Sequence, residues 1–196
     1  MKTDIILAGV GGQGILSIAT AIGTAALKNG LYIKQAETHG MSQRGGAVVS
    51  HMRISDKPIY SDLIAEGEAD LILSVEPMES MRYLPFLSKT GYIVTNTTPF
   101  ENIPNYPEID AVLEKLNTLD RVVAIDADKI ASDLGSKLAS NMVMLGAGSP
   151  FLNHIEFNAL ENGIVELFTR KGDDVVNTNL SAIRAGKEFA DKIIKQ

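Results

Sequence analysis

The first fourteen residues constrain this chain more than any other stretch. Ile5 to Ala8 is an apolar run without polar alternation, the pattern of a strand buried on both faces of a parallel sheet. Gly9-Val10-Gly11-Gly12-Gln13-Gly14 follows at once and fits the pattern GxGxxG. From Ile15 to Leu27 the apolar positions Ile15, Ile18, Ile22 and Ala26 recur at helical spacing, and Lys28-Asn29-Gly30 supplies a basic last turn and a terminal glycine. Strand, glycine turn and helix in that order make a βα unit.

The rest of the chain repeats the theme. Leu31 to Glu37 predicts a second strand. Ala47 to Ile54 predicts a third, whose two faces are Val48, Ser50, Met52, Ile54 and Ala47, Val49, His51, Arg53. Ser55 to Pro58 reads as a turn. Further apolar runs lie at Asp70 to Val75, Tyr92 to Asn96 and Arg121 to Asp126, with a helix predicted from Pro77 to Leu87. Thr97 to Pro107 holds three of the seven prolines and predicts an exposed loop. Beyond residue 127, Leu160, Ile164, Leu167 and Phe168 keep helical spacing, as do Val176, Leu180, Ile183, Ala190 and Ile193. With 196 residues, 45% of them hydrophobic, the chain suits one domain over residues 1–196. The expected fold class is α/β: a Rossmann-like three-layer α/β/α sandwich with a largely parallel sheet and a helical C-terminal third.

Composition excludes several chemistries. The chain has no cysteine, so it offers no disulfide, no thiolate metal ligand, no cysteine nucleophile and no ligand for an iron–sulfur cluster. A formal net charge of -6 without a basic cluster argues against nucleic acid and anionic membranes as partners. The N-terminal apolar run is too short to span a bilayer and lacks a signal-peptide pattern, so the cytoplasm is the expected location.

The glycine loop admits two readings. Its glycines would let a phosphate approach free backbone N–H groups at a helix N-terminus, and Glu37, 23 positions after Gly14, stands where a ribose-binding acid is expected. That predicts an NAD(P)- or FAD-binding oxidoreductase, or a non-enzymatic nucleotide-binding protein. Alternatively the glycines let the first helix pack tightly on the sheet, or let a partner chain approach the backbone. The three histidines, His39, His51 and His154, are scattered, and His51 in a strand is expected to be a satisfied core or edge residue.

A second constellation, Glu37-Thr38-His39-Gly40-Met41-Ser42-Gln43-Arg44-Gly45-Gly46, concentrates polar and flexible residues between two strands. Arg44 would bind a phosphate or carboxylate bidentately, Gln43 would orient it, and Gly45-Gly46 would expose backbone N–H groups; the simpler reading is a turn closed by a Glu37–Arg44 ion pair. Gly9 to Gly14 together with Glu37 through Arg53, above all His39-Gly40-Met41 and Gln43-Arg44-Gly45-Gly46-Ala47-Val48-Val49-Ser50, resembles the gamma-type subunit or domain of the 2-oxoacid:ferredoxin oxidoreductases. Within that family the wording Gly40 to Gly46 is most similar to the indolepyruvate class. Weaker similarity runs through Asn141 to Ala147 and Asn179 to Gly186, so the resemblance covers nearly the whole chain.

The resemblance implies an enzyme complex that decarboxylates a 2-oxoacid on thiamine diphosphate, passes electrons through 4Fe–4S clusters to ferredoxin and transfers the acyl group to coenzyme A. This chain has no cysteine, and no Gly-Asp-Gly followed by a distant Asn to hold a Mg²⁺ diphosphate. It is therefore expected to bind none of these cofactors and to be inactive alone, with thiamine diphosphate, Mg²⁺ and the clusters on a larger catalytic subunit. Gly9, Gly11, Gly12, Gln13, Gly14, Glu37, His39, Gln43, Arg44, Gly45 and Gly46 are then expected at the subunit interface or on the coenzyme A route, with no catalytic or metal residue in this chain. Apolar faces on the C-terminal helices would serve a homodimer, the partner subunit or the core, and periodicity does not separate these.

Overall fold

The computed structural model describes residues 1–40, 45–101 and 103–195. Among the described residues the sheet has six strands: β1 (Lys2–Val10), β2 (Tyr32–His39), β3 (Ala47–Ser55), β4 (Ala69–Ser74), β5 (Leu87–Asn96) and β6 (Val122–Ile125), in the order β2-β3-β1-β4-β5-β6. The helices are α1 (Ile15–Lys28), α2 (Pro77–Arg82), α3 (Ile109–Asn117), α4 (Ala127–Asp133), α5 (Ser140–Gly148), α6 (Phe157–Phe168) and α7 (Asp173–Ile194). The α/β class, the largely parallel sheet and the helical C-terminal third are as the sequence predicts.

Residue chemistry explains the layering. β1 is buried from Thr3 to Val10 because it lies mid-sheet with helices or loops on both faces. β3 alternates, with Val48, Ser50, Met52 and Ile54 buried under the main core, which α1, α5, α6 and α7 cover. The opposite face carries a smaller cluster around Ile6, Ala8, Ile72 and Ile93, closed by Tyr83, Leu84 and Phe86. The buried carboxylate of Asp4 at the start of β1 is held by Arg53 of β3 through Nε at 2.9 Å and Nη2 at 3.1 Å, and by Lys2 Nζ at 2.8 Å. Arg53 Nη1 also donates to the carbonyls of Ser61 and Leu63, so one guanidinium fixes two strands and the segment that crosses them.

One local expectation, the extent of the helix from Pro77, is corrected, and the direction of β3 and the anchoring of the loop after β5 add to what the sequence predicts. β3 is antiparallel to both its neighbours and stands between β1 and β2, so only five of the six strands run the same way. The helix from Pro77 ends at Arg82 rather than Leu87; Pro85 has no N–H for a helical ladder, Leu84–Phe86 form a 3-10 turn, and β5 begins at Leu87. The loop after β5 is exposed over much of its length but tied down, because buried Glu76 accepts hydrogen bonds from the Phe100 N–H at 3.3 Å and from the Tyr106 hydroxyl. Burial and that carboxylate push the Tyr106 phenol well above its usual range.

The helical layer is held by a close crossing. A Cβ on Gly146 of α5 would fall 2.0 Å from the Ile183 carbonyl oxygen, and one on Gly186 of α7 would fall 1.9 Å from that of Val143. Two facing glycines therefore let the two backbones touch. α5 is buried along nearly its whole length, between α7 and the sheet.

Candidate functional site at the carboxyl edge of the sheet

The carboxyl ends of β1, β4, β5 and β6 open on one edge, where open α/β sheets place their ligands. Gly9 is the penultimate residue of β1, and a Cβ there would meet Val75 at 2.3 Å. Gly12 has φ 103° and Gly14, capping α1, has φ 83°, conformations that L side chains rarely adopt. Gln13 is folded inward: Oε1 accepts from the Val10 N–H at 2.8 Å, and Nε2 donates to the Val75 carbonyl at 3.2 Å. Asn141, at the start of α5, donates to the Gly14 carbonyl at 3.1 Å, and its side chain lies where a Cβ on Gly14 would go.

The two sequence constellations meet. The Gly11 N–H donates to the Gly46 carbonyl at 2.8 Å, and the Gly45 N–H donates to the Gly11 carbonyl at 3.3 Å, continuing the β1–β3 ladder past Val10 and Ala47. Met41, Ser42, Gln43 and Arg44 lie outside the described residues, so the expected roles of Gln43 and Arg44 stand on the sequence. Glu37 and His39 share one face of β2, where His39 Nε2 pairs with the Glu37 carboxylate and Gln35 Nε2 donates to it at 3.3 Å. A dinucleotide site needs the acidic strand beside β1, but here β3 takes that place and shifts β2 outward to two ladder spacings, about 10 Å from β1. Glu37 is therefore not positioned as the ribose partner of the glycine loop.

Two clefts flank the loop. One, of about 660 Å³, lies over the ends of β4, β5 and β6, and is lined by Gln13, Asn96, Asp126, Asp128, Lys129 and Lys137 among others. Asn96 ties it together: Nδ2 donates to Asp128 at 2.8 Å and to the Val75 carbonyl at 3.4 Å, while Oδ1 accepts from the Ala127 N–H at 3.0 Å. The other, of about 570 Å³, opens beside Gly14 and Ser17 against α7, with Asn141, Asn179, Thr178 and Lys171 on its walls. Sequence reasoning passed over Asn96, Asp126, Asn141 and Asn179. The available signal was a polar residue closing an apolar strand run, or heading one of the family-like stretches. His51 is half-buried as expected; its Nδ1 accepts from the Ile64 N–H at 3.1 Å and its ring meets Phe86 edge-on at 5.2 Å.

Fold and edge together define a Rossmann-like α/β domain whose glycine loop is filled by its own Gln13 and Asn141 and stitched to the strand that displaces β2. The chain belongs to the pyruvate ferredoxin/flavodoxin oxidoreductase family, whose model matches residues 4–189. It is 37% identical over 199 residues to indolepyruvate oxidoreductase subunit IorB of Archaeoglobus fulgidus, covering 95% of this chain and 94% of the relative. It is 39% identical over 153 residues to the protein of the same name from Pyrococcus horikoshii, covering 74% of this chain and 75% of that one. Among solved structures it is similar to the 2-oxoglutarate:ferredoxin oxidoreductase of Magnetococcus marinus, with TM-score 0.76 and 24% identity; the match covers 97% of this chain and 31% of that longer one.

Proposed function

We propose that this chain is the small subunit of a 2-oxoacid:ferredoxin oxidoreductase acting on an aryl-pyruvate such as indolepyruvate, and that it is inactive alone. The observation that carries the reading is the similarity to IorB proteins, which for the Archaeoglobus fulgidus relative covers 95% of this chain. The donor set does not fit the redox cofactors: no cysteine is available for a cluster, and no group of three or more His, Asp or Glu among the described residues is arranged around a metal position. Thiamine diphosphate, Mg²⁺ and 4Fe–4S clusters accordingly belong to a larger catalytic subunit, which passes electrons to ferredoxin.

The role assigned to this chain is to close over that subunit and to line the coenzyme A route. The Gly11–Gly46 seam supports this, because it brings the glycine loop and the strand after Arg44 to one place beside both clefts. Lys137 and Lys171, one on each cleft, form no ion pair with a carboxylate among the described residues and are available to a phosphorylated cosubstrate, although Asp126, Asp128 and Asp133 share the first cleft and Asp174 the second. Within this chain the chemistry is binding, orientation and exclusion of water. Replacing Arg44 with Ala in the assembled complex is expected to raise the apparent KM for coenzyme A about tenfold or to weaken assembly. If both stay at wild-type values, the assigned role is wrong.

A further inference from the structure

Away from the carboxyl edge, α2 and α3 leave an open groove of about 580 Å³ between them. Its floor is apolar, with Met78 and Met81 at i, i+3 on α2 facing Ala111 and Val112 of α3. Among the described residues its charged lining is cationic, Arg82 on one wall and Lys115 on the other, in a chain whose net charge is -6. Arg82 uses Nε to hold buried Glu79 at 3.0 Å, and its two Nη groups donate to no acceptor among the described residues. Lys115 forms no ion pair there. The groove is also fixed in advance, since Pro107 on its rim follows Tyr106, whose hydroxyl is anchored on Glu76.

We propose that this groove is a docking site for an amphipathic segment of the larger partner subunit, apolar along one stripe and carboxylate-bearing at its borders; this rests on the reading of the chain as a small subunit. Two helices flanking a trough match the way an amphipathic helix is received. Methionine side chains adapt to such a stripe without fixing its sequence. The open Nη face of Arg82 and the Lys115 ammonium on the opposite wall select carboxylates and set the segment's orientation, which is why an acidic-bordered partner fits better than a neutral one.

The test uses the full chain and its co-expressed large subunit, with the dissociation constant measured by titration at low and high salt. Lys115→Glu lies on an exposed helix position and should leave the fold intact, so it keeps the test decisive if Met81→Glu fails to fold. Both variants are expected to bind the large subunit at least about tenfold more weakly, and the wild type should lose more affinity with salt than Lys115→Glu. Wild-type affinity in a folded Lys115→Glu chain overturns the docking site while leaving the subunit reading intact. Loss of self-association alone overturns it in favour of a second copy of this chain. A wild-type chain with no affinity for the large subunit defeats both the docking site and the functional reading.

Discussion

At the scale of single residues, most polar groups near the carboxyl edge are spoken for by the fold. Gln13 satisfies a backbone donor in β1 and an acceptor after β4, and Asn96 bridges the ends of β4 and β6. Losing either would strand backbone groups that the side chain now satisfies. Histidine chemistry follows the same logic. Burial holds the His51 imidazole below its ordinary value near 6.5, against a smaller opposing pull from Asp62. The folded chain thus binds fewer protons than the unfolded chain just under pH 6.5, so the contribution of His51 is complete above that pH and is lost as the pH falls. A histidine NMR titration of the folded chain should give His51 a midpoint below 6.5, and the stability difference between wild type and His51→Gln should shrink on acidification. A midpoint above 6.5 would reverse the sign. The glycines at 9, 12 and 14 were legible because turn chemistry is local. Asn141 was not, because its partner, the Gly14 carbonyl, is set by tertiary packing.

Among elements, the α5–α7 crossing fixes the wall of the second cleft. Asn141 and Asn179 head the stretches that end at Ala147, one past Gly146, and at Gly186, so the glycine contact sets the spacing at which both residues line the second cleft. Gly186→Ala should destabilise the chain by about 3 kcal/mol or more, since backbone rather than a flexible side chain blocks the new methyl. Thermal or urea unfolding measures it, and a loss under about 0.5 kcal/mol would mean that the helices separate freely. The helices themselves were readable from apolar spacing. Their crossing was not, because a glycine forty residues from its partner carries no periodic signal. Similarly, β3 was legible as a strand from its alternation, but its direction and its place beside β1 depend on which ladder closes, and an alternating strand suits either.

For the molecule as a whole, inserting β3 between β1 and β2 changes what the opening motif means. A strand, GxGxxG loop and helix predict a nucleotide fold, and the fold is there. The strand order moves Glu37 away from the loop, Gln13 and Asn141 occupy the loop from within, and backbone hydrogen bonds join Gly11 to Gly45 and Gly46 across the same edge. None of the described helices is long and apolar enough to cross a membrane. On the function proposed above, this cysteine-free chain takes part in oxoacid chemistry only together with a larger subunit that holds the cofactors. The most direct measurement is therefore reconstitution: aryl-pyruvate- and coenzyme-A-dependent reduction of ferredoxin by the large subunit, with and without this chain. Turnover only when both subunits are present is the predicted result, and turnover of the oxoacid by this chain alone would contradict it.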